Sequence, residues 1–229
     1  MIKNIINIGL PSKGRLKHDT INIFKKNKLN IYSEMGERDL FGYVKKNSNI
    51  KIIYLHAREC IEQLSLGNID IGFSGYDLLK ESEINVQNKV LINKKYNYGN
   101  ANLVLAIPDL WIDVQTLLDL DEVADEFKKK KKRLLRVATK YPNLTRQFLY
   151  SKGVTQFQLV KSLGSTEVAP FTGTAEIISD ITSTGATLKA NNLRILKDGE
   201  ILKSQACLMI SKFSTKKVGM KKIINLLRR

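Results

Sequence analysis

The sequence predicts an α/β fold made of two similar lobes. Short apolar runs suited to strands alternate with segments whose apolar residues have helical spacing, as in parallel α/β sheets. A weak internal repeat suggests the two lobes. Gly67 stands three residues before Asp70-Ile71, and Gly173 stands three residues before Glu176-Ile177. Each run then leads into a Ser/Thr-Gly turn. We therefore expect two related α/β lobes with a cleft between them.

In the first half, predicted strands are each followed by a helix. The strands are 5–10, 50–55 and 70–73, and the helices are 16–24, 56–67 and one that begins at Tyr76. Strand-like pieces lie between Ile31 and Val44. A strand at 103–107, stopped by Pro108, suits a crossover into the second lobe.

The second half continues the alternation and returns to strands near its end. Helices are predicted over 109–127, from about 142 to Gly153, and over 215–229, and strands over 135–139, 157–163, 193–196 and 201–211. Asp198-Gly199 is expected to form a turn between the last two strands. The basic run Lys128–Arg133 follows an acidic helix, which favours a solvated helix end, with a nucleic-acid contact as the alternative.

Composition limits the possible functions. The 229 residues are 43% hydrophobic and 26% charged, which is typical of a globular protein. No apolar run approaches the roughly 20 residues of a membrane span, and the N-terminal stretch lacks the features of a signal peptide. Cys60 and Cys207 are too few for a disulfide framework or a metal cluster. We expect a cytoplasmic protein with reduced thiols and no membrane partner.

The net charge of +16 raises the question of nucleic-acid binding. The chain is rich in Lys, Asn and Ile throughout, so the charge reflects a general bias rather than a local patch. No recognition helix or basic strand with interleaved aromatic residues is present in the sequence. A basic cleft would equally attract small polyanionic substrates, so we expect no nucleic-acid partner.

The most informative stretch runs from Gly164 to Leu193. An apolar run ends at Asp180, and the small residues from Ser183 to Thr187 follow before a possible helical turn. Such a loop exposes backbone N–H groups that favour an anion, and its small residues allow a phosphate to approach the main chain. Asp180 is placed to meet a sugar hydroxyl. The alternative is an ordinary strand–turn–helix connection.

Four segments together resemble the ATP phosphoribosyltransferases, which catalyse the first step of histidine biosynthesis. They are PSKGRL (11–16), ATKYPNLT (138–145), GSTEVAP (164–170) and DITSTGAT (180–187). The resemblance covers nearly the whole chain and implies two lobes like those of type II periplasmic binding proteins. It places 1–100 and 187–229 in lobe I, and 101–186 in lobe II.

The resemblance also implies a reaction. N1 of the adenine of ATP attacks C1 of phosphoribosyl diphosphate and expels diphosphate, with Mg²⁺ as the cofactor. The 5-phosphate would be held by Ser183, Thr184, Gly185, Ala186 and Thr187. Asp180 would bind ribose hydroxyls and is a candidate Mg²⁺ ligand. No catalytic side chain is assigned, because positioning and electrostatics suffice when adenine N1 already carries a lone pair.

Further residues are assigned to ATP or diphosphate, most by the same resemblance, and Gly75 and Asp77 because they lie at a small-residue turn before a helix. They are Lys13, Gly14, Arg15, Arg38, Gly75, Asp77, Thr139 and Tyr141. Several have ordinary alternatives: Lys13 and Arg15 as solvated cations, Asp77 as a helix cap, and Thr139 and Tyr141 as part of a Pro-containing turn. Glu167 is a candidate cleft carboxylate or a supporting or capping residue.

The chain departs from the family pattern in two places. Around His56 and Arg58 the family usually has an arginine followed by Asp-Ile-Pro, and an arginine often stands where Ala101 or Asn102 lies.

By length the chain resembles the short form, which works with a regulatory subunit resembling histidyl-tRNA synthetase, so a hetero-oligomer is expected. A two-lobed solute-binding protein and a different phosphoribosyltransferase are the alternatives.

Overall fold

A computed structural model of the chain describes residues 5–33, 39–45 and 47–228. The chain forms two compact units, one of Met1–Gly99 with Gln205–Arg229 and one of Asn100–Ser204. Residues 187–204 therefore belong with the second unit and not, as predicted, with the first lobe. The reason is a strand that begins at Leu193 and pairs within the second sheet.

The first unit contains a seven-stranded sheet with helices. Its strands are β1 (Ile6–Pro11), β2 (Ile31–Tyr32), β3 (Phe41–Val44), β4 (Asn47–Leu55), β5 (Ile71–Gly75), β6 (Val90–Lys95) and β12 (Ala206–Ser211). Its helices are α1 (Gly14–Lys26), α2 (Ala57–Leu66), α3 (Tyr76–Glu81), α4 (Ile84–Gln87) and α8 (Met220–Leu227). The strand order is β2-β3-β4-β1-β5-β12-β6, with β1 parallel to both β4 and β5.

Both faces of the first sheet are packed. Ile8 and Leu10 of β1 contribute to a core with Phe24 of α1 and Leu227 of α8. On the opposite face α2 lies very close to the strands: a Cβ atom at Gly72 would come within 2.5 Å of the Cys60 Sγ. Glycine is therefore required at Gly72 for this helix to approach the sheet.

The second unit contains a five-stranded sheet. Its strands are β7 (Ala101–Pro108), β8 (Leu135–Thr139), β9 (Phe157–Lys161), β10 (Ile177–Thr182) and β11 (Leu193–Ser204), and its helices are α5 (Leu117–Lys131), α6 (Pro142–Ser151) and α7 (Ala186–Ala190). The order is β11-β7-β10-β8-β9. Strand β8 is parallel to β9 and β10, whereas β7 is antiparallel to β10 and β11.

The two faces of this second sheet differ in the size of their buried side chains. Leu120 of α5 and Leu149 of α6 pack with the larger aliphatic residues of the strands. On the other face half of the eight buried core residues are alanine, including Ala106, Ala138 and Ala169, and we call this group the small-residue core. A short 3₁₀ turn, Thr166–Val168, and the short α7 lie on this second face, which leaves room beside the ends of the strands.

The predicted elements and the structure differ in several places. The helix expected from 109 begins only at Leu117, because Thr116 forms a capping box with Asp119. Asp198-Gly199 forms no hairpin turn: β11 continues through it, and the Asp198 carboxylate accepts a 2.9 Å hydrogen bond from the Leu117 N–H. Strand β6 was not predicted.

The basic run also differs from its prediction in detail. Helix α5 continues through Lys131, and Lys132 ends it in the left-handed conformation. Lys130 pairs with Glu126 one turn earlier, at 3.0 Å. Within the part of the chain that the structure describes, no helix is long and apolar enough to cross a membrane.

Candidate functional site

The site lies where β10 ends and α7 begins. Strands β8 and β10 are parallel, so their carboxyl ends lie at the same edge of the second sheet. Ligands of α/β proteins bind outside this edge. Asp180 and Thr182 are on the side of β10 that faces the small-residue core, since Ile178 belongs to that core.

The turn into α7 requires a glycine. Gly185 has a φ of +75°, and no atom lies within 4 Å of the position a Cβ would take. An L side chain would be strained there although space is available. Gly185 is the N-cap of α7 and has no side chain to cap the helix, so the N–H groups of the first turn need acceptors from elsewhere.

Side-chain hydroxyls already satisfy two of the five predicted amides. The Gly185 N–H donates to Thr182 Oγ1 at 2.9 Å, and the Ala186 N–H donates to Thr184 Oγ1 at 3.3 Å. Among the described residues, the N–H groups of Ser183, Thr184 and Thr187 have no hydrogen-bond partner. The prediction of a five-amide cradle is therefore reduced to three unpaired donors in this state. Thr182 was missed as a site residue, although Thr hydroxyls are known to bond nearby backbone N–H groups in turns.

A cavity of about 170 Å³ adjoins the loop, and the second unit alone forms it. It is lined by Glu167, Asp180, Ile181, Thr182, Ser183, Thr184, Thr187 and Leu188. The structure thus gathers five of the seven residues predicted to bind phosphoribosyl diphosphate around one cavity, and the remaining two, Gly185 and Ala186, continue the same loop.

The two carboxylates of this cavity differ in their hydrogen bonding. Asp180 Oδ1 accepts a 2.8 Å bond from the Ile181 N–H, which fixes the orientation of the side chain. Glu167 stands on the 3₁₀ turn and has no bonded partner among the residues described. Both side chains are half-buried. Each therefore offers oxygen lone pairs to a sugar or a cation.

This donor set is suited to Mg²⁺ in one specific way. No group of three or more His, Cys, Asp or Glu that could hold a metal ion occurs within the described ranges. Mg²⁺ usually keeps several waters and is bound by one or two carboxylates together with substrate oxygens. Asp180 and Glu167, which line the same cavity, match that pattern.

Lys13, Gly14 and Arg15 lie on the turn between β1 and α1 of the first unit. Lys13 is the N-cap of α1 and is extended, and Gly14 has a φ of +77°. The Arg15 side chain is 84% exposed and lies 3.6 Å from Asp19. Because an exposed pair of this kind is worth little, both cations are available to an anion. The ordinary interpretation as solvated cations fits the same geometry.

The residues predicted after β5 are more enclosed. Gly75 is the N-cap of α3, with an ordinary φ of −75°. The Asp77 carboxylate folds back over it, so that a Cβ at Gly75 would meet Asp77 Oδ1 at 2.3 Å. Asp77 is buried in the first turn of α3, where a carboxylate is favoured by the helix dipole.

Thr139 is buried at the end of β8. It is 1% exposed, and its Oγ1 accepts a 2.9 Å bond from the Tyr141 N–H. The hydroxyl thus makes a bond beneath α6. That Thr139 lines a ligand site stays a prediction. Tyr141 is the N-cap of α6 and is also buried. Arg38 lies outside the described residues.

His56 has a structural position at the start of α2. Its ring nitrogen accepts a 3.4 Å bond from the Arg58 N–H and so caps the helix. In the basic run, Lys129 and Lys130 pair with acids of α5, and Arg133 pairs with Glu176. These contacts match a solvated helix end.

The fold and the site define a class. An α/β protein with a glycine-containing amide loop at the end of a parallel strand, next to two carboxylates, is equipped to bind a sugar phosphate. Sequence comparison identifies the family: a model described as "HisG: ATP phosphoribosyltransferase" matches residues 56–229. The chain belongs to the ATP phosphoribosyltransferase family.

Curated relatives with similar sequences are ATP phosphoribosyltransferases by name. The ATP phosphoribosyltransferase of Nitrobacter winogradskyi is 46% identical over 205 residues, which cover 90% of this chain and 63% of that protein. That of a Chelativorans species is 43% identical over 208 residues, covering 90% of each. The chain thus spans about 63% of the length of the first curated relatives it matches.

Solved structures confirm the predicted type of fold. The chain is similar to a chain of the ATP phosphoribosyl transferase (HisG:HisZ) complex from Thermotoga maritima, with a TM-score of 0.74 and 26% identity over 98% of this chain and 97% of that one. It also resembles the substrate-binding protein of an amino acid ABC transporter, with a TM-score of 0.53 and 13% identity over 98% and 90% of the two chains. The second likeness concerns the fold alone.

Proposed function

We propose that this protein transfers the phosphoribosyl group of phosphoribosyl diphosphate to N1 of ATP, releases diphosphate, and so catalyses the first step of histidine biosynthesis. The observation that carries the proposal is the cavity shared by the Asp180–Thr187 loop and Glu167, in a chain of this family. A role as a solute-binding protein is not favoured, since that likeness has only 13% identity. Family membership likewise disfavours a different phosphoribosyltransferase.

The 5-phosphate binds to the loop. The unpaired N–H groups of Ser183, Thr184 and Thr187 donate to its oxygens, and nearby hydroxyls add donors. Fixing the phosphate in this way orients C1 of the ribose toward the acceptor. The binding energy of a remote group is thereby used to position the reacting atoms.

Asp180 accepts hydrogen bonds from the ribose hydroxyls. The adenine N1 lone pair forms the new bond to C1 while the C1–O bond to diphosphate breaks, and the bonding electrons leave with the diphosphate. Positive charge develops on the ribose in this step, and a fixed carboxylate stabilises it. No protein nucleophile is needed. Burial raises the pKa of the Cys60 thiol to about 12 and that of Cys207 to about 11, so neither is a thiolate at neutral pH.

Mg²⁺ is the proposed cofactor, held by Asp180 with Glu167 as the second carboxylate. When bound, it would neutralise charge on the diphosphate and make it a better leaving group. In the first unit, Lys13, Gly14 and Arg15 are proposed to bind phosphate oxygens of ATP or of the leaving group, with weaker support for Gly75, Asp77, Tyr141 and Arg38. A cytoplasmic location stays a prediction.

We further propose that the chain works with a separate regulatory subunit, in a hetero-oligomer. The similarity to a chain of the Thermotoga maritima HisG:HisZ complex supports this. Size-exclusion chromatography of the chain alone and after mixing with such a subunit tests it. We expect a shift to larger mass and a change in activity. An unchanged elution volume together with unchanged activity would argue against the partner.

The activity is tested by incubating the protein with ATP, phosphoribosyl diphosphate and Mg²⁺, then following diphosphate release and the ultraviolet change of the adenine. Free nucleobases replace ATP in parallel reactions. Asp180→Asn is compared with Asp125→Asn, a matched change on the exposed side of α5. We expect release with ATP only, loss of rate in the first variant and none in the second. Equal release with a free base, or no release with ATP, would contradict the proposal.

A further inference from the structure

Three buried hydroxyls connect α6 to the strands beneath it, and the reaction scheme above does not use them. Thr139 ends β8, Thr145 lies in the first turns of α6, and Ser179 lies in β10 next to Asp180. Thr145 and Ser179 are fully buried, and Thr139 is 1% exposed. Burying three hydroxyls in a core costs free energy unless each one is hydrogen-bonded. We therefore ask which groups they bond and what those bonds hold in place.

The contacts form a chain with one direction. The Tyr141 N–H donates to Thr139 Oγ1 at 2.9 Å, Thr139 and Thr145 Oγ1 are 3.3 Å apart, and Thr145 Oγ1 donates to Ser179 Oγ at 2.8 Å. A hydroxyl has one proton. Because Thr145 gives its proton to Ser179, Thr139 must give its own to Thr145. The bonds therefore run from the Tyr141 amide to Ser179 without a break.

This row of hydrogen bonds connects two parts of the proposed site. At one end it fixes the backbone of Tyr141, the N-cap residue of α6. At the other it fixes Ser179, whose neighbour Asp180 lines the loop cavity. The two ends lie on different strands, and β8 and β10 are adjacent and parallel, with Thr139 paired directly to Ser179. These hydrogen bonds thus hold the start of α6 against the strand that carries Asp180.

We propose that Thr145 is a positioning residue for the phosphoribosyl transfer: its hydroxyl, bonded to Thr139 and Ser179, holds the first turn of α6 in register with Asp180. This inference rests on the proposed function for its kinetic consequence, but not for its structural one. Thr145 touches no substrate in this account. It acts through the residues it holds, and small displacements of such groups are expensive in rate.

The test compares Thr145→Val, which keeps the shape and removes the hydroxyl, with Thr145→Ser, which keeps the hydroxyl. Thr155→Val, at an exposed threonine of the same unit, is the control. For Thr145→Val we expect kcat to fall about tenfold or more, with little change in KM for phosphoribosyl diphosphate. The serine variant should recover most of kcat, and the control should match the parent protein. Lower thermal stability with unchanged kcat would overturn the inference.

A second measurement is independent of the activity. Hydrogen exchange of the Tyr141 amide is read in the ligand-free protein by NMR. We expect slow exchange in the parent and serine variants, and at least tenfold faster exchange in Thr145→Val. Equal exchange in all three would refute the inference even if the enzyme were active. If the parent protein shows no phosphoribosyl transfer, the proposed function fails while this measurement still decides the role of Thr145.

Discussion

In the second unit one carboxylate, Glu176, pairs with two arginines, Arg133 and Arg136, and the geometry of this group sets the size of a stability prediction. The Glu176 carboxylate accepts bonds from Arg133 Nη1 and Nη2, both at 3.0 Å, and from Arg136 Nη2 at 2.6 Å. It also accepts the backbone N–H of Arg136 at 2.9 Å. The Glu176 side chain is only 12% exposed. It lies just before β10, so it ties that strand to the start of β8.

Glu176→Gln removes the charge but keeps the shape. Burial raises the pKa of the Glu176 carboxyl, but the bonds from Arg136 and Arg133 outweigh this and lower it from 4.5 to about 2. A difference of this size corresponds to at most about 3.4 kcal/mol. Solvent reaches both arginines and screens them, which reduces the expected loss to about 2 kcal/mol.

Urea unfolding at pH 7 measures this loss. The control is Glu126→Gln, which breaks the exposed pair with Lys130 and should cost less than about 0.5 kcal/mol. The Glu176 carboxyl has a lower pKa when folded, so its contribution is complete above pH 4.5 and is lost as the pH falls toward 2. The gap between the parent and Glu176→Gln should therefore close over that window. Equal stabilities at pH 7 would refute the reasoning.

Three other changes test the site and the first unit. Gly185→Ala, which strains a left-handed residue by about 1 kcal/mol, should raise KM for phosphoribosyl diphosphate about fivefold and leave KM for ATP unchanged in steady-state assays. Asp180→Asn should lower kcat about a hundredfold without changing the melting temperature. Lys217→Met leaves the carboxylate of Asp70, which is 4% exposed, without its cation, and should cost about 3 kcal/mol in chemical unfolding. Lys216→Met, an unpaired neighbour among the described contacts, should cost almost nothing.

The sequence was informative where local chemistry decides the structure. An apolar run, an acid, small hydroxyl residues and a glycine predict a strand, a tight turn and a helix start, and β10, Gly185 and α7 confirm this. The same pattern predicted one loop containing Asp180, Ser183, Thr184 and Thr187, and these residues line the cavity. It could not show that the Thr182 and Thr184 hydroxyls accept hydrogen bonds from two of the loop amides, since that depends on the rotamers of the two threonines.

The sequence was less informative where distant contacts decide. Asp198-Gly199 has the composition of a turn, yet Asp198 caps α5 and the strand continues. Thr139 follows a buried strand in a family motif, so its sequence context could not distinguish a ligand contact from a bond beneath α6. Strand β6 has no clear alternation and exists because β12 pairs with it. In each case tertiary structure overrides the local signal.

The central claim is tested most directly by a crystal structure of the protein with phosphoribosyl diphosphate and Mg²⁺. The account predicts that the 5-phosphate oxygens lie about 3 Å from the N–H groups of Ser183, Thr184 and Thr187, with the ribose hydroxyls on Asp180. A pentose bound elsewhere, with those three amides paired inside the protein, would contradict it.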